Sequence, residues 1–238
     1  MRESQTASRT SEEEVLVEAG KITLEGSLCV PEATTGIVLF VHGSGSSRHS
    51  PRNRLVAKAL QSAGIATLLF DLLTPEEGLF DEGTATLRFD IDLLAQRLID
   101  ATAWIKRNPI TSALRIGYFG ASTGAAAALV AASKLVNSIA AIVSRGGRPD
   151  LAGNALEQVR APTLLIVGGS DHHVLYLNRQ ALARLGQAQA DLLVIPGATH
   201  LFQEPGSLEE VARRAAFWFR RFLIPQDSRR VAHQDKVA

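Results

Sequence analysis

The chain has a single cysteine, Cys29, among its 238 residues, so no intramolecular disulfide can form and a reducing compartment is expected. Ile22, Leu24, Leu28 and Val30 surround Cys29 with a strand-like apolar alternation, and a thiol in that setting reads as a buried structural residue. Charge of one sign is missing too. The 25 Lys and Arg nearly cancel the 24 Asp and Glu, and the cations are scattered, which leaves no electrostatic footprint for nucleic acid or an anionic membrane. The expected partner is a small, roughly neutral molecule. No apolar run is long enough to span a bilayer, and the N-terminal MRESQTASRTSEEE contains no signal-peptide core, so a cytoplasmic location is expected. Internal repeats are absent, and the only biased block is the alanine-rich stretch 125–132, which favours helix.

What is present is a core. Apolar residues make up 46% of a chain whose length suits one domain. The polar composition of 1–13 and 225–238 predicts flexible tails, leaving a single domain over 14–224. Nearly continuous apolar runs at 37–41, 65–70, 114–119, 139–143, 163–167 and 191–195 predict strands buried on both faces of a parallel sheet. Helical patterns at 53–63, 89–106, 123–135, 175–185 and 208–222 alternate with them, which implies βαβ units. The segment 15–30 alternates more strictly and holds Gly26 near its middle, as suits an antiparallel hairpin at one edge. The fold class is therefore α/β: a mostly parallel, doubly wound sheet of about eight strands with an antiparallel N-terminal edge.

In such sheets ligands bind beyond the carboxyl ends of the strands, and four loops there carry chemistry. Gly120-Ala121-Ser122-Thr123-Gly124 is G-x-S-x-G between a strand and a helix, a turn that exposes a serine hydroxyl at a helix N-terminus. The plain alternative is that Ser122 caps the helix. Gly168-Gly169-Ser170-Asp171 places a carboxylate after the next-to-last strand, and Pro196-Gly197-Ala198-Thr199-His200 places an imidazole after the last. Asp171 could cap a helix and His200 could be a plain loop histidine, but the order Ser, Asp, His fits a catalytic triad: His200 takes the Ser122 proton and Asp171 orients the ring. The fourth loop, His42-Gly43-Ser44-Gly45-Ser46-Ser47, suits an oxyanion hole built from the backbone N–H groups of Ser44 and Thr123. A phosphate loop is the rival, yet the lysine of a Walker A motif and the Rossmann glycine pattern are both missing. His42 is expected to brace its loop, and His172 and His173 to lie on a loop or cleft rim, because no cluster with metal-ligand spacing completes them. Asp71 and Asp90 read as loop and helix-cap residues, and Arg213, Arg214, Arg220 and Arg221 as the solvated face of a last helix whose other face holds Phe217 and Phe222.

With these loops in place, the chain resembles the α/β-hydrolase superfamily over about 15–223, and within it the dienelactone-hydrolase-like branch. The segments HGSGSSRHS, FDLLTPEEG, GASTG, SRGGRPDL, VGGSD and GATHLF carry the likeness. True dienelactone hydrolases have a cysteine nucleophile where this elbow has Ser122, so the resemblance implies a serine carboxylesterase. It also implies that Arg145 lies near the cleft and binds a substrate carboxylate, the alternatives being a structural pair with Asp150 or Asp171, or simple exposure. About twenty residues separate the strand ending near Val143 from the next, too few for a large lid. An open cleft for small esters is expected, with no cofactor and no metal. Lactone, dienelactone or thioester cleavage and acyl transfer would use the same triad; a binding module that kept only the fold is the alternative of another class.

Overall fold

The computed structural model describes residues 12–32 and 34–224. Eight strands form one sheet in the order β1-β2-β4-β3-β5-β6-β7-β8. Strands β1 (Glu12–Ala19) and β2 (Ile22–Cys29) make the antiparallel edge, and β2 runs antiparallel to β4 (Ala66–Phe70). From β4 onward, β3 (Gly36–Val41), β5 (Arg115–Ala121), β6 (Ile139–Arg145), β7 (Thr163–Gly168) and β8 (Ala190–Ile195) all run parallel. The expected mixed sheet of eight strands is therefore present.

Helices cover both faces, which is why the central strands are apolar throughout. On one side α1 (Pro51–Ser62) and α6 (Ser207–Leu223) pack against Val38, Phe40, Phe119, Val143 and Ile166. On the other, α3 (Ile91–Arg107) and α4 (Thr123–Lys134) close over Leu39, Leu68, Tyr118 and Ile142. α4 is almost wholly buried, and its alanines let it lie close to the sheet between α3 and the 3-10 segment Pro149–Gln158. α5 (His172–Arg184) follows β7.

Some expectations shift. The hairpin turns at Gly20, whose φ of 65° suits glycine, and Gly26 instead lies within β2 opposite Val15 and Phe70. Glu12 and Glu13 belong to β1 and not to a tail; the rest of the expected tails, 1–11 and 225–238, lies outside the described residues. α6 buries Val211, Ala215, Trp218, Phe219 and Leu223, whereas Phe217 is 66% exposed on the arginine-bearing side. A helix that apolar periodicity does not announce, α2 (Pro75–Thr84), follows β4. Its signal was the capping box: Thr74 accepts from the Glu77 amide, the Glu77 carboxylate accepts from the Thr74 amide, and Pro75 opens the first turn. Beyond β6 only the 3-10 segment precedes β7, so no large lid is inserted there.

Candidate active site

Ser122 stands between β5 and α4 with φ 50° and ψ −122°, a conformation costly for any residue with a side chain. It occupies the N-cap position but makes no capping bond, so the cap reading fails and the hydroxyl is left uncommitted. The bend is possible because glycines stand two residues away on either side. A methyl group on Gly124 would lie 2.2 Å from the Val41 carbonyl oxygen, and one on Gly120 2.5 Å from the Ala125 Cα. The elbow is fastened by its backbone: the Ser122 amide donates to the Arg145 carbonyl (3.2 Å) and the Ser122 carbonyl accepts from the Arg148 amide (3.0 Å).

Asp171 and His200 meet across the ends of β7 and β8. His200 Nδ1 lies 2.7 Å from Asp171 Oδ2, and Asp171, also at an N-cap position, makes no capping bond. Since an ionised carboxylate only accepts, Nδ1 carries the proton and Nε2 is left with a free lone pair. Nε2 has no hydrogen bond among the described residues, and none joins it to Ser122 Oγ. Contacts of this kind commonly tighten only when substrate binds. Gly146 bridges the two halves of the site. A β-carbon there would lie 3.2 Å from the His200 carbonyl oxygen, and the preceding Arg145 carbonyl holds the Ser122 amide.

The loop after β3 approaches the elbow closely, since a β-carbon on Gly43 would sit 3.0 Å from Ser122 Cβ. Thr123 is the first residue of α4, so its amide has no carbonyl one turn back within the helix to bond. The Ser44 amide differs from the expectation of a free donor: it donates to Thr123 Oγ1 at 2.9 Å. His42 braces this loop. Its Nε2 accepts from the Leu72 amide (3.1 Å), which leaves the proton on Nδ1, 3.0 Å from the Gly43 carbonyl. Burial pushes the His42 pKa down, holding the ring neutral. Asp71 accepts from the Arg48 amide (2.7 Å) and pairs with its guanidinium, and Asp90 caps α3 through the Leu93 amide (3.0 Å). Both are structural, as the sequence suggested.

Beside the loop after β3 lies a cavity of about 460 Å³, walled by His42, Ser44, Leu72, Thr74, Pro75 and Leu94. α2 supplies one side of it, pinned by the Asp81–Arg88 ion pair (2.5 Å). His172 and His173 open α5, exposed, and no group of three or more potential metal ligands occurs among the described residues. Neither alternative pairing of Arg145 holds, because Asp150 binds Arg148 (2.8 Å) and Asp171 binds His200. Arg52 of α1, which the sequence did not single out, stands close enough for its charge to act on Arg145. Cys29 is buried, 2% exposed, and burial raises its thiol pKa. No helix among the described residues is long and apolar enough to cross a membrane.

Residues 25–223 match the model of the Dienelactone hydrolase family. A dienelactone hydrolase from Anabaena variabilis is 57% identical, with a TM-score of 0.89, covering 90% of this chain and 99% of that one. An esterase from Pyrococcus furiosus superposes with a TM-score of 0.75 over 90% of this chain and 94% of its own, at 20% identity, a likeness of fold alone. A Mycobacterium tuberculosis protein provisionally named a phosphoribosyl transferase is 60% identical over 208 residues, 87% of this chain. The match covers 46% of that protein, so the chain spans about half the length of the curated relatives it matches.

Proposed function

The chain belongs to the dienelactone hydrolase family and is a hydrolase of the ester or lactone type, and from that premise we propose a serine carboxylesterase acting on small esters through an acyl-enzyme on Ser122. The observation that carries this reading is how the bonds are distributed. The Ser122 hydroxyl is uncommitted on a strained elbow, while Asp171 binds the one His200 nitrogen that must keep its proton.

In the mechanism, Ser122 Oγ attacks the ester carbonyl as His200 Nε2 takes its proton. The carbonyl electrons move to oxygen, and the resulting oxyanion accepts from the Thr123 amide at the positive end of α4. The Ser44 amide adds a second donor when shared with, or released from, Thr123 Oγ1. Asp171 steadies the imidazolium, which returns its proton to the departing alcohol. Water then attacks the acyl-enzyme, with His200 again as base, and the acid leaves with Ser122 restored. The chain's own groups supply every proton transfer, so no cofactor or metal enters this route.

The nucleophile separates this chain from dienelactone chemistry on cysteine. Lactones, thioesters and acyl transfer to an alcohol remain alternative uses of the same groups. The transferase name belongs to relatives about twice as long, of which the match covers 46%. We assign that name to the remainder.

Hydrolysis of p-nitrophenyl esters of increasing acyl length tests the proposal. Rates should peak at short chains, in keeping with a bounded cavity of about 460 Å³. Asp171→Asn should lower kcat by about 10⁴-fold, the loss typical when the orienting carboxylate is neutralised. Full activity in Ser122→Ala would refute the mechanism.

A further inference from the structure

An oxyanion hole needs donors with nothing else to bind, and by that measure the two expected amides differ. The Thr123 amide opens α4 and has no hydrogen bond among the described residues. The Ser44 amide is already spent, because it donates to Thr123 Oγ1 at 2.9 Å. A hydroxyl has two lone pairs and one proton, so this bond occupies an acceptor position and leaves the Thr123 O–H unused. That proton has no acceptor among the described residues, although Thr123 is only 4% exposed. Within a helix a threonine hydroxyl can donate to the carbonyl one turn back, as Thr102 does to Leu98 in α3 (2.8 Å). The first residue of α4 has no such carbonyl in its own helix.

The surroundings hold this hydroxyl in place. Gly124 lets the start of α4 press on the end of β3, since a β-carbon there would lie 2.2 Å from the Val41 carbonyl oxygen and 2.5 Å from that of His42. The loop that carries Ser44 is turned back on itself: the Ser46 amide donates to the Gly43 carbonyl (3.2 Å), and His42 Nδ1 lies 3.0 Å from the same oxygen. A branched β-carbon restricts the rotamers open to Thr123, and a single staggered torsion separates its hydroxyl from its own amide. Amide and hydroxyl therefore stand side by side next to Ser122, at the positive end of α4.

We propose that the Thr123 hydroxyl is a catalytic donor of the oxyanion hole: it accepts from the Ser44 amide and donates its own hydrogen bond to the oxyanion, so that Ser44 acts through it. No proton changes owner in this relay. Releasing the Ser44 amide would break an existing bond just as the oxyanion forms, whereas the relay keeps that bond and adds another without rearrangement. An N–H bonded to the hydroxyl oxygen also polarises the O–H and makes it a stronger donor. The inference rests on Ser122 as nucleophile, and the test separates the two claims.

Hydrolysis of p-nitrophenyl butyrate is compared in the native protein, Thr123→Val, Thr123→Ser and Thr123→Ala. Thr123→Val keeps the shape and removes the hydroxyl, and it should lower kcat by about 10²–10³-fold, the loss typical of one oxyanion donor, with KM little changed. Thr123→Ser restores the hydroxyl and should recover most of that loss. The pH profile of kcat/KM should keep the His200 inflection in place in Thr123→Val, whereas a displaced triad would move it. Should Thr123→Val fail to fold, Thr123→Ser against Thr123→Ala isolates the same hydroxyl, and the serine variant should be the faster by a similar factor. A Thr123→Val enzyme as fast as the native one, or faster, would overturn the proposal, because the Ser44 amide then serves directly once it is unblocked. Equal losses in Thr123→Val and Thr123→Ser would overturn it as well. Full activity in Ser122→Ala would overturn the nucleophile and this inference together, an outcome that the Thr123 ratios do not mimic.

Discussion

Ser122 holds a backbone conformation that only glycine adopts freely, and the strain, of order 1–3 kcal/mol, is the cost of presenting its hydroxyl above the sheet. Ser122→Gly should therefore abolish esterase activity and yet raise stability by about 1 kcal/mol, after allowing for the added freedom of an unfolded glycine. Urea denaturation measures this, and a destabilised variant would mean that the elbow is not strained. At this scale the sequence was most legible where chemistry is written in short motifs: Ser122 directly follows β5, and Asp171 and His200 lie in the short loops that follow β7 and β8. It was silent where the effect depends on packing. That the Ser44 amide is engaged by Thr123 Oγ1, or that the Arg52 charge acts on Arg145, depends on which elements the fold brings together, which no local pattern encodes.

The central strands were legible as elements because burial on both faces makes them continuously apolar. α2 was not, since Asp81 is the only one of its residues that is buried, and no apolar stripe marks it. Its N-terminal end is fixed by the Thr74–Glu77 capping box, and it walls the cavity beside the loop after β3. Thr74→Ala should cost about 0.5–2 kcal/mol in thermal or chemical denaturation. It should also raise KM for small esters more than it lowers kcat, because the wall loosens while the triad stays in place. α6 shows the reverse case: its amphipathic period was plain, but which aromatics face inward depends on where the helix crosses the sheet, and Trp218 and Phe219 do so while Phe217 does not.

The whole molecule carries a pH dependence through His42. Its pKa is lowered in the fold by burial, so below about pH 6.5, the ordinary histidine value, the unfolded chain binds a proton that the folded chain refuses. Stability should thus fall as pH drops below about 6.5, and His42→Gln should flatten that part of the curve of melting temperature against pH. An identical slope in the variant would place the titration elsewhere. The same ring ties the loop after β3 to Leu72, so fold stability and the geometry of that loop are linked through one residue.

The sheet brings three separate loops to one edge, and the claim that they make one nucleophilic site is tested most directly by covalent labelling. An organophosphonate fluoride should add once per chain, with peptide mass mapping placing the adduct on Ser122. Ser122→Ala should take none, and Asp171→Asn should react far more slowly. An unlabelled native protein, or an adduct at another residue with esterase activity retained in Ser122→Ala, would contradict the account.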